Sequence, residues 1–236
     1  MKCGKFAFQR IFTCMVLVFD LDDTLYDERT YVRSGFRAVA RWLNTIFGWK
    51  KDTTYDFMTE VLETEGRGRV FDRLLEQQGS LTKTLVQDCL RVYRHHRPKI
   101  QLWPDARAFL KQYCGDALYL VTDGHKVVQA QKVHALGING RFRKVYLTHR
   151  YSIRSAKPST RCFELIRARE NCDWKEMIHI GDNPAKDFVG LKALGVRTVR
   201  VLTGCHRNTP AQPGYDAEYR IQDLAHLPSL LRRMQI

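Results

Sequence analysis

The sequence predicts an α/β fold, a doubly wound parallel sheet interrupted after its first strand by an all-helical insertion. Three observations carry this. Short apolar, β-branched runs alternate with helical patterns through the second half of the chain. One run of the same kind, Val16–Phe19, stands alone far upstream. Between them lies a long stretch of helical periodicity with no run that reads as a strand.

Val16–Phe19 is apolar at every position, as a parallel strand covered on both faces must be. It runs straight into Asp20, Leu21, Asp22, Asp23 and Thr24, so the strand should end at a polar site on its carboxyl edge. From about Asp27 to His96 the pattern is helical. Val32, Phe36, Val39, Ala40, Leu43, Ile46 and Phe47 recur mostly at spacings of three and four, and Gly48 supplies a stop. Asp52–Glu65 and Val70–Gln78 read as further helices, punctuated by Gly66, Gly68 and Gly79. Ser80 reads as the N-cap of a last helix that runs to about His96. Pro98 and Trp103-Pro104 end the insertion.

After Pro104, helix and strand alternate. Helices are expected at Asp105–Tyr113, Lys126–Leu136, Pro158–Glu170 and Pro184–Leu194, with a closing helix at about Asp223–Arg233. Strands are expected at Ala117–Val121, Lys144–Leu147, Met177–Ile180 and Arg197–Leu202. Asn208–Gly214 reads as a surface loop. The domain boundaries follow: 1–24 and 104–236 form the sheet core, and 25–103 the helical insertion.

In such a sheet, ligands bind at the carboxyl ends of the strands. The residues expected there are Asp20, Asp22 and Asp23 after the first strand, and Thr122, Asp123 and Gly124 after the second. His149 follows the third, and Gly181, Asp182 and Asn183 the fourth. Lys157 is expected to open the helix between the third and fourth strands. One edge thus collects carboxylates, a hydroxyl and an amine. Each piece alone is good turn or helix-cap sequence. Their joint placement is what points to chemistry.

The run Asp20-x-Asp22-x-Thr24 after an apolar strand resembles the first signature of the haloacid dehalogenase superfamily. Three later signatures follow in order: Leu120–Gly124, an apolar strand closing on Thr122; Lys157-Pro158; and Gly181-Asp182 with Asp187 five positions on. The resemblance spans nearly the whole chain from Met15. It implies a Rossmann-like core in which the insertion, between the first and second signatures, is a helical cap that supplies substrate contacts.

The resemblance also implies roles. Asp20 would be the nucleophile and form an aspartyl-phosphate. Asp22 would be the general acid, then the base that activates water. Magnesium would be held by the Asp20 carboxylate, the Asp22 main-chain carbonyl and Asp182, with Asp187 a further ligand or, in preference, a partner that orients its waters. Thr122, the main chain near Leu21 and Asp123, and Lys157 would bind the phosphoryl oxygens. Dehalogenases of the superfamily lack an acid at the position of Asp22, so phosphate transfer is favoured. The expected activity is hydrolysis of a small phosphorylated metabolite. A phosphomutase, or a non-catalytic binding protein on the same fold, are the alternatives. Tyr26, Arg29, Tyr31, Arg33 and the loop Glu65–Arg69 are candidate substrate contacts, although that loop also reads as a plain interhelical connection. Relatives often have glycine three positions before the Lys-Pro pair, where this chain has Arg154.

Composition agrees. Lys plus Arg number 39 and Asp plus Glu 25, a formal net charge of +14, which favours an anionic substrate. From Arg141 to Arg169 there are nine Lys or Arg and one acid, Glu164. That patch carries no aromatic platform or known nucleic-acid motif, so no nucleic-acid partner is expected. No run reaches the ~18 apolar residues of a membrane helix, so no membrane partner is expected. The N-terminus, a basic start before an apolar run, imitates a short signal peptide without a small-residue cleavage site, and Met15 is a second candidate start. The seven cysteines are scattered with no C-x-x-C pair, which fits free thiols and a cytoplasmic location.

Overall fold

The computed structural model describes residues 15–113 and 117–234. The readings made of the N-terminal extension, and Cys3, Cys14 and Cys114, lie outside these residues. The described chain divides into two compact units. One takes the residues up to Leu25, Pro104–Asp123 and those from Asn139 onward, and the other Tyr26–Trp103 with Gly124–Ile138.

The first unit is a six-stranded sheet. β1 (Val16–Phe19), β2 (Ala117–Thr122), β3 (Lys144–Leu147), β4 (Met177–Gly181), β5 (Arg197–Val201) and β6 (Tyr219–Ile221) stand in the order β3-β2-β1-β4-β5-β6. Every pairing is parallel. β1 is central, with Phe19 opposite Leu120 on one side and Ile180 on the other. Its alternate residues feed two cores. Val16 and Val18 pack with Tyr119, Val121, Phe163 and Ile166. Phe19 meets Phe109 and Phe142, with ring centroids 5.5 and 6.3 Å apart. Burial on both faces explains why β1 is apolar throughout instead of alternating.

The second unit is helical: α1 (Glu28–Phe47), α2 (Lys51–Glu65), α3 (Val70–Gln77), α4 (Lys83–His95) and, further along the chain, α6 (Lys126–Ala135). The apolar stripe foreseen on α1 forms its core, with Val32, Phe36, Val39 and Leu43 against Met58, Leu74, Leu75 and Cys89. The Asp27 side chain caps α1 by accepting the Arg29 N–H at 2.8 Å, and Gly48 ends it at φ 73°. Gly35 faces Tyr93 so closely that a Cβ there would overlap the ring. Lys132 of α6 is buried in an ion pair with Glu28 (3.2 Å) and lies over the Tyr31 ring, 4.6 Å from its centroid. The remaining helices are α5 (Pro104–Gln112), α7 (Arg161–Glu170), α8 (Val189–Lys192) and α9 (Leu227–Met234).

Four sequence expectations are corrected. Thr82, not Ser80, caps α4, accepting the Leu85 N–H at 3.1 Å. α7 starts at Arg161, so Lys157-Pro158 lies in the turn before it, joined by a cis peptide bond. Pro184–Leu194 is mostly turns, and only Val189–Lys192 is α-helical. β6 adds a short strand after the surface loop. Among the described residues no helix is long and apolar enough to cross a membrane.

Candidate active site

The carboxyl edge of the sheet carries the site, all of it within the first unit. Asp20 follows β1, and its N–H reaches the Ile180 carbonyl at 2.8 Å, which extends the sheet by one bond and fixes where its side chain begins. Its carboxylate is ion-paired with the Lys157 ammonium. The same ammonium lies 2.7 Å from Asp187 Oδ1. All three side chains are nearly inaccessible.

Each member is placed by main chain. Asp187 folds under β4: its Oδ2 accepts the Asn183 N–H at 2.9 Å, and a Cβ at Gly181 would sit 2.5 Å from that oxygen. Gly181 is therefore glycine for space. Lys157 is placed by Asp123, whose Oδ1 accepts the Lys157 N–H (3.1 Å) and the Thr148 hydroxyl (2.9 Å). Asp123 Oδ2 pairs with Lys186 at 3.3 Å. The Asp123 carboxylate thus organises the site, while its main chain and Thr122 stand at the end of β2. Asp22 is half-buried and Asp182 is buried.

The electrostatics follow from crowding. Burial pushes the Asp20 carboxyl up to about 7, against the opposing pull of Lys157. Burial pushes Asp182 up to about 9, with the charges of Asp187, Asp20 and Asp23 adding to it. For Asp187 burial acts upward too, but Lys157, His179 and Lys186 outweigh it and hold the carboxyl well below the usual range. Burial acts to lower Lys157, yet Asp187, Asp20 and Asp123 keep it firmly protonated.

Whether these residues suit a divalent cation follows from their donor chemistry. Among the described residues no three His, Cys, Asp or Glu side chains converge to hold a metal by themselves. Magnesium does not require that. It is hard, takes oxygen ligands, keeps several waters and is held through one or two carboxylates. Asp20 and Asp182 are two such carboxylates, near enough that the charge on one raises the pKa of the other. A cation relieves that repulsion, so the residues fit the group.

The edge therefore brings together Asp20, Thr122, Asp123, Lys157, Asp182 and Asp187. Asp22 stands two residues past Asp20 in the same turn. Tyr26 and Tyr31 are buried. Arg67 pairs with Glu28 at 2.6 Å and Arg69 with Glu76 at 2.8 Å, which makes Glu65–Arg69 a tied interhelical loop. Arg29, Arg33 and Arg154 are exposed, as is much of the basic stretch around Arg154. Thr148 and Lys186 were missed by the sequence reading. The signal for Lys186 was its place inside the fourth motif; Thr148 carried none, being one threonine among many.

The profile of the haloacid dehalogenase-like hydrolase family matches residues 14–195. The chain belongs to that family. Among curated relatives it is 25% identical over 228 residues to the glyceraldehyde 3-phosphate phosphatase of Methanocaldococcus jannaschii, covering 93% of this chain and 97% of that one. It is 31% identical over 160 residues to the phosphoserine phosphatase of Thermus thermophilus, covering 67% of this chain and 62% of that one. Two solved structures of the family share the fold. One is the magnesium-bound hydrolase YfnB of Bacillus subtilis, with a TM-score of 0.65 and 19% identity over 92% of this chain and 98% of that one. The other is a 2-haloacid dehalogenase from Pseudomonas syringae, with a TM-score of 0.62 and 23% identity over 94% of this chain and 99% of that one.

Proposed function

We propose that this hydrolase is a magnesium-dependent phosphatase of a small phosphorylated metabolite, working through an aspartyl-phosphate on Asp20. The observation that carries the reading is the buried pair of Asp20 and Lys157. A carboxylate shielded from water at a strand end is a competent nucleophile only beside a cation that can pass to the phosphoryl oxygens. The phosphatase names of the curated relatives support hydrolysis of a phosphomonoester, and they suggest three-carbon substrates. The acid at Asp22 supports phosphate transfer over dehalogenation.

In this reading one Asp20 oxygen attacks phosphorus. Asp22 gives its proton to the departing oxygen as the ester bond breaks. Asp22 then takes a proton from water, whose oxygen attacks the same phosphorus and frees Asp20 and inorganic phosphate. Lys157 and Thr122, with main-chain N–H groups near Leu21 and Asp123, hold the non-bridging oxygens. Asp20, Asp182 and the Asp22 carbonyl would hold magnesium, which would supply charge neutralisation for the phosphate. Asp187 fixes Lys157 and would orient waters on the metal. The helical residues 25–103 stand, in chain order, where the family resemblance expects a cap.

The test is phosphate release from a panel of phosphomonoesters led by glyceraldehyde 3-phosphate and phosphoserine, with magnesium. Release that disappears in Asp20→Asn supports the reading. Phosphate exchange between sugar positions without release would replace it with a mutase. Neither release nor exchange from the folded, metal-loaded protein would overturn it.

A further inference from the structure

The loop after β5, which lies outside the four motifs, reaches the first and the fourth of them. The Thr203 hydroxyl donates to the main-chain carbonyl of Asp23 at 2.6 Å. The Cys205 N–H donates to Asp23 Oδ2 at 2.9 Å. Asp23 is buried and stands at φ 57°, a left-handed conformation that costs any residue with a Cβ and that aspartate tolerates better than most. Gly204, between the two donors, has φ 61°, and a Cβ there would overlap the Asp23 side chain. Glycine is thus required at position 204 both for its backbone angle and for space.

The loop is itself anchored. Arg200, buried on β5, donates through Nη2 to the carbonyls of His206 and Thr209, each at 2.7 Å. It also faces Asp216 at 3.4 Å. Asn183 Nδ2 lies 2.9 Å from His206 Nε2. Asn183 Oδ1 is taken by the Ala185 N–H at 3.0 Å, which sets the amide so that its NH2 faces the ring. The loop therefore touches the residue after Asp22 and the residue after Asp182.

We infer that Thr203, Gly204 and the Cys205 N–H form a brace that holds the turn bearing Asp22, with Asp23 as its grip. The inference rests on the phosphatase reading for its catalytic consequence. A strained residue persists where its surroundings over-determine it. Two bonds from an anchored loop do that here, and they act on the residue beside the acid, never on the acid itself. These are positioning residues. Loosening them should misdirect the proton that Asp22 delivers, and a shift on the order of 1 Å can cost ~100-fold in rate.

The experiment uses Thr203→Val and Thr203→Ser in the full chain with magnesium. Two substrates are compared: p-nitrophenyl phosphate, whose leaving group needs little protonation, and the alkyl ester glycerol 3-phosphate, whose leaving group needs much. T203V is expected to lose ~10-fold or more in kcat on the alkyl ester and less than ~3-fold on the aryl ester, with KM kept and T203S restoring the rate. Equal losses on both substrates, or none, would overturn the inference. Amide hydrogen exchange over Leu21–Tyr26 is measured on the same proteins and should quicken in T203V but not in T203S. If the unmodified protein releases phosphate from neither these esters nor the phosphomonoester panel, the phosphatase reading fails, and the exchange data still decide the brace: unchanged exchange removes it.

Discussion

Lys157 balances the charges of the site. Its ammonium is shared by Asp20 and Asp187, both buried, so removing it strands two carboxylates where water cannot solvate them. Breaking a buried pair from one side costs roughly 3–5 kcal/mol. Lys157→Met is therefore expected to lower the denaturant midpoint sharply as well as to end phosphate release. Asp20→Asn should behave differently: it leaves Lys157 paired with Asp187 and removes one charge from a crowd of acids. That variant should fold with an undiminished midpoint and show no activity. A large loss of stability in D20N would contradict this account. Residues of this kind are legible in sequence because several act from one strand end or turn. Thr203 and Thr148 were not legible, because a hydroxyl that bonds a distant main chain looks like any other threonine.

The helices show where a local rule gives way to packing. Gly35 lies inside α1, where glycine costs about 1 kcal/mol relative to alanine. It is kept because the Tyr93 ring of α4 occupies the space of its Cβ. Gly35→Ala is expected to destabilise by ~1–3 kcal/mol despite the better propensity, as overpacking does. A higher melting temperature in that variant would show that α1 and α4 can part without cost. Most element boundaries were legible from periodicity, Gly48 among them. The failures lie beside the site. In the segment after β4, the Asn183 and Asp187 side chains take the Ala185 and Asn183 N–H groups, and turns replace the foreseen helix. Before α7, the Lys157 N–H is held by Asp123, so the helix begins later than proline at its first turn would suggest. Local pattern was overridden where side chains and main chain are arranged for chemistry.

Two properties belong to the whole chain. The formal net charge of +14 should draw an anionic substrate from a distance, an effect that salt screens beyond a Debye length of ~10 Å at 0.1 M. kcat/KM for a phosphomonoester is expected to fall as ionic strength rises while kcat holds. A salt-independent kcat/KM would mean that the charge plays no part in capture. Stability should depend on pH through His96. Its Nδ1 donates to the Tyr93 carbonyl at 2.6 Å, and burial lowers the ring below its ordinary 6.5, so the folded chain keeps it neutral. The unfolded chain takes up a proton as pH drops through 6.5. The stabilisation is complete above that value and is lost below it. His96→Gln should give a flatter curve of denaturant midpoint between about pH 5 and 8. An identical slope in both proteins would exclude His96 as the source. The order of the sheet was only partly legible, since strand sequence shows that β1 joins the others but not between which two.

That β1 lies between β2 and β4 has a consequence for the birth of the molecule. The strand that leads into Asp20 is made before both of its partners, and one of them, β4, emerges only after α7 has been made. Lys157 and Asp182 come with that late half. A growing chain therefore carries Asp20 through that interval without the Lys157 that pairs with it. Pairings so distant in sequence are slow to close and leave an apolar strand uncovered meanwhile. The helical insertion, made of contacts nearer in sequence, can form during that wait.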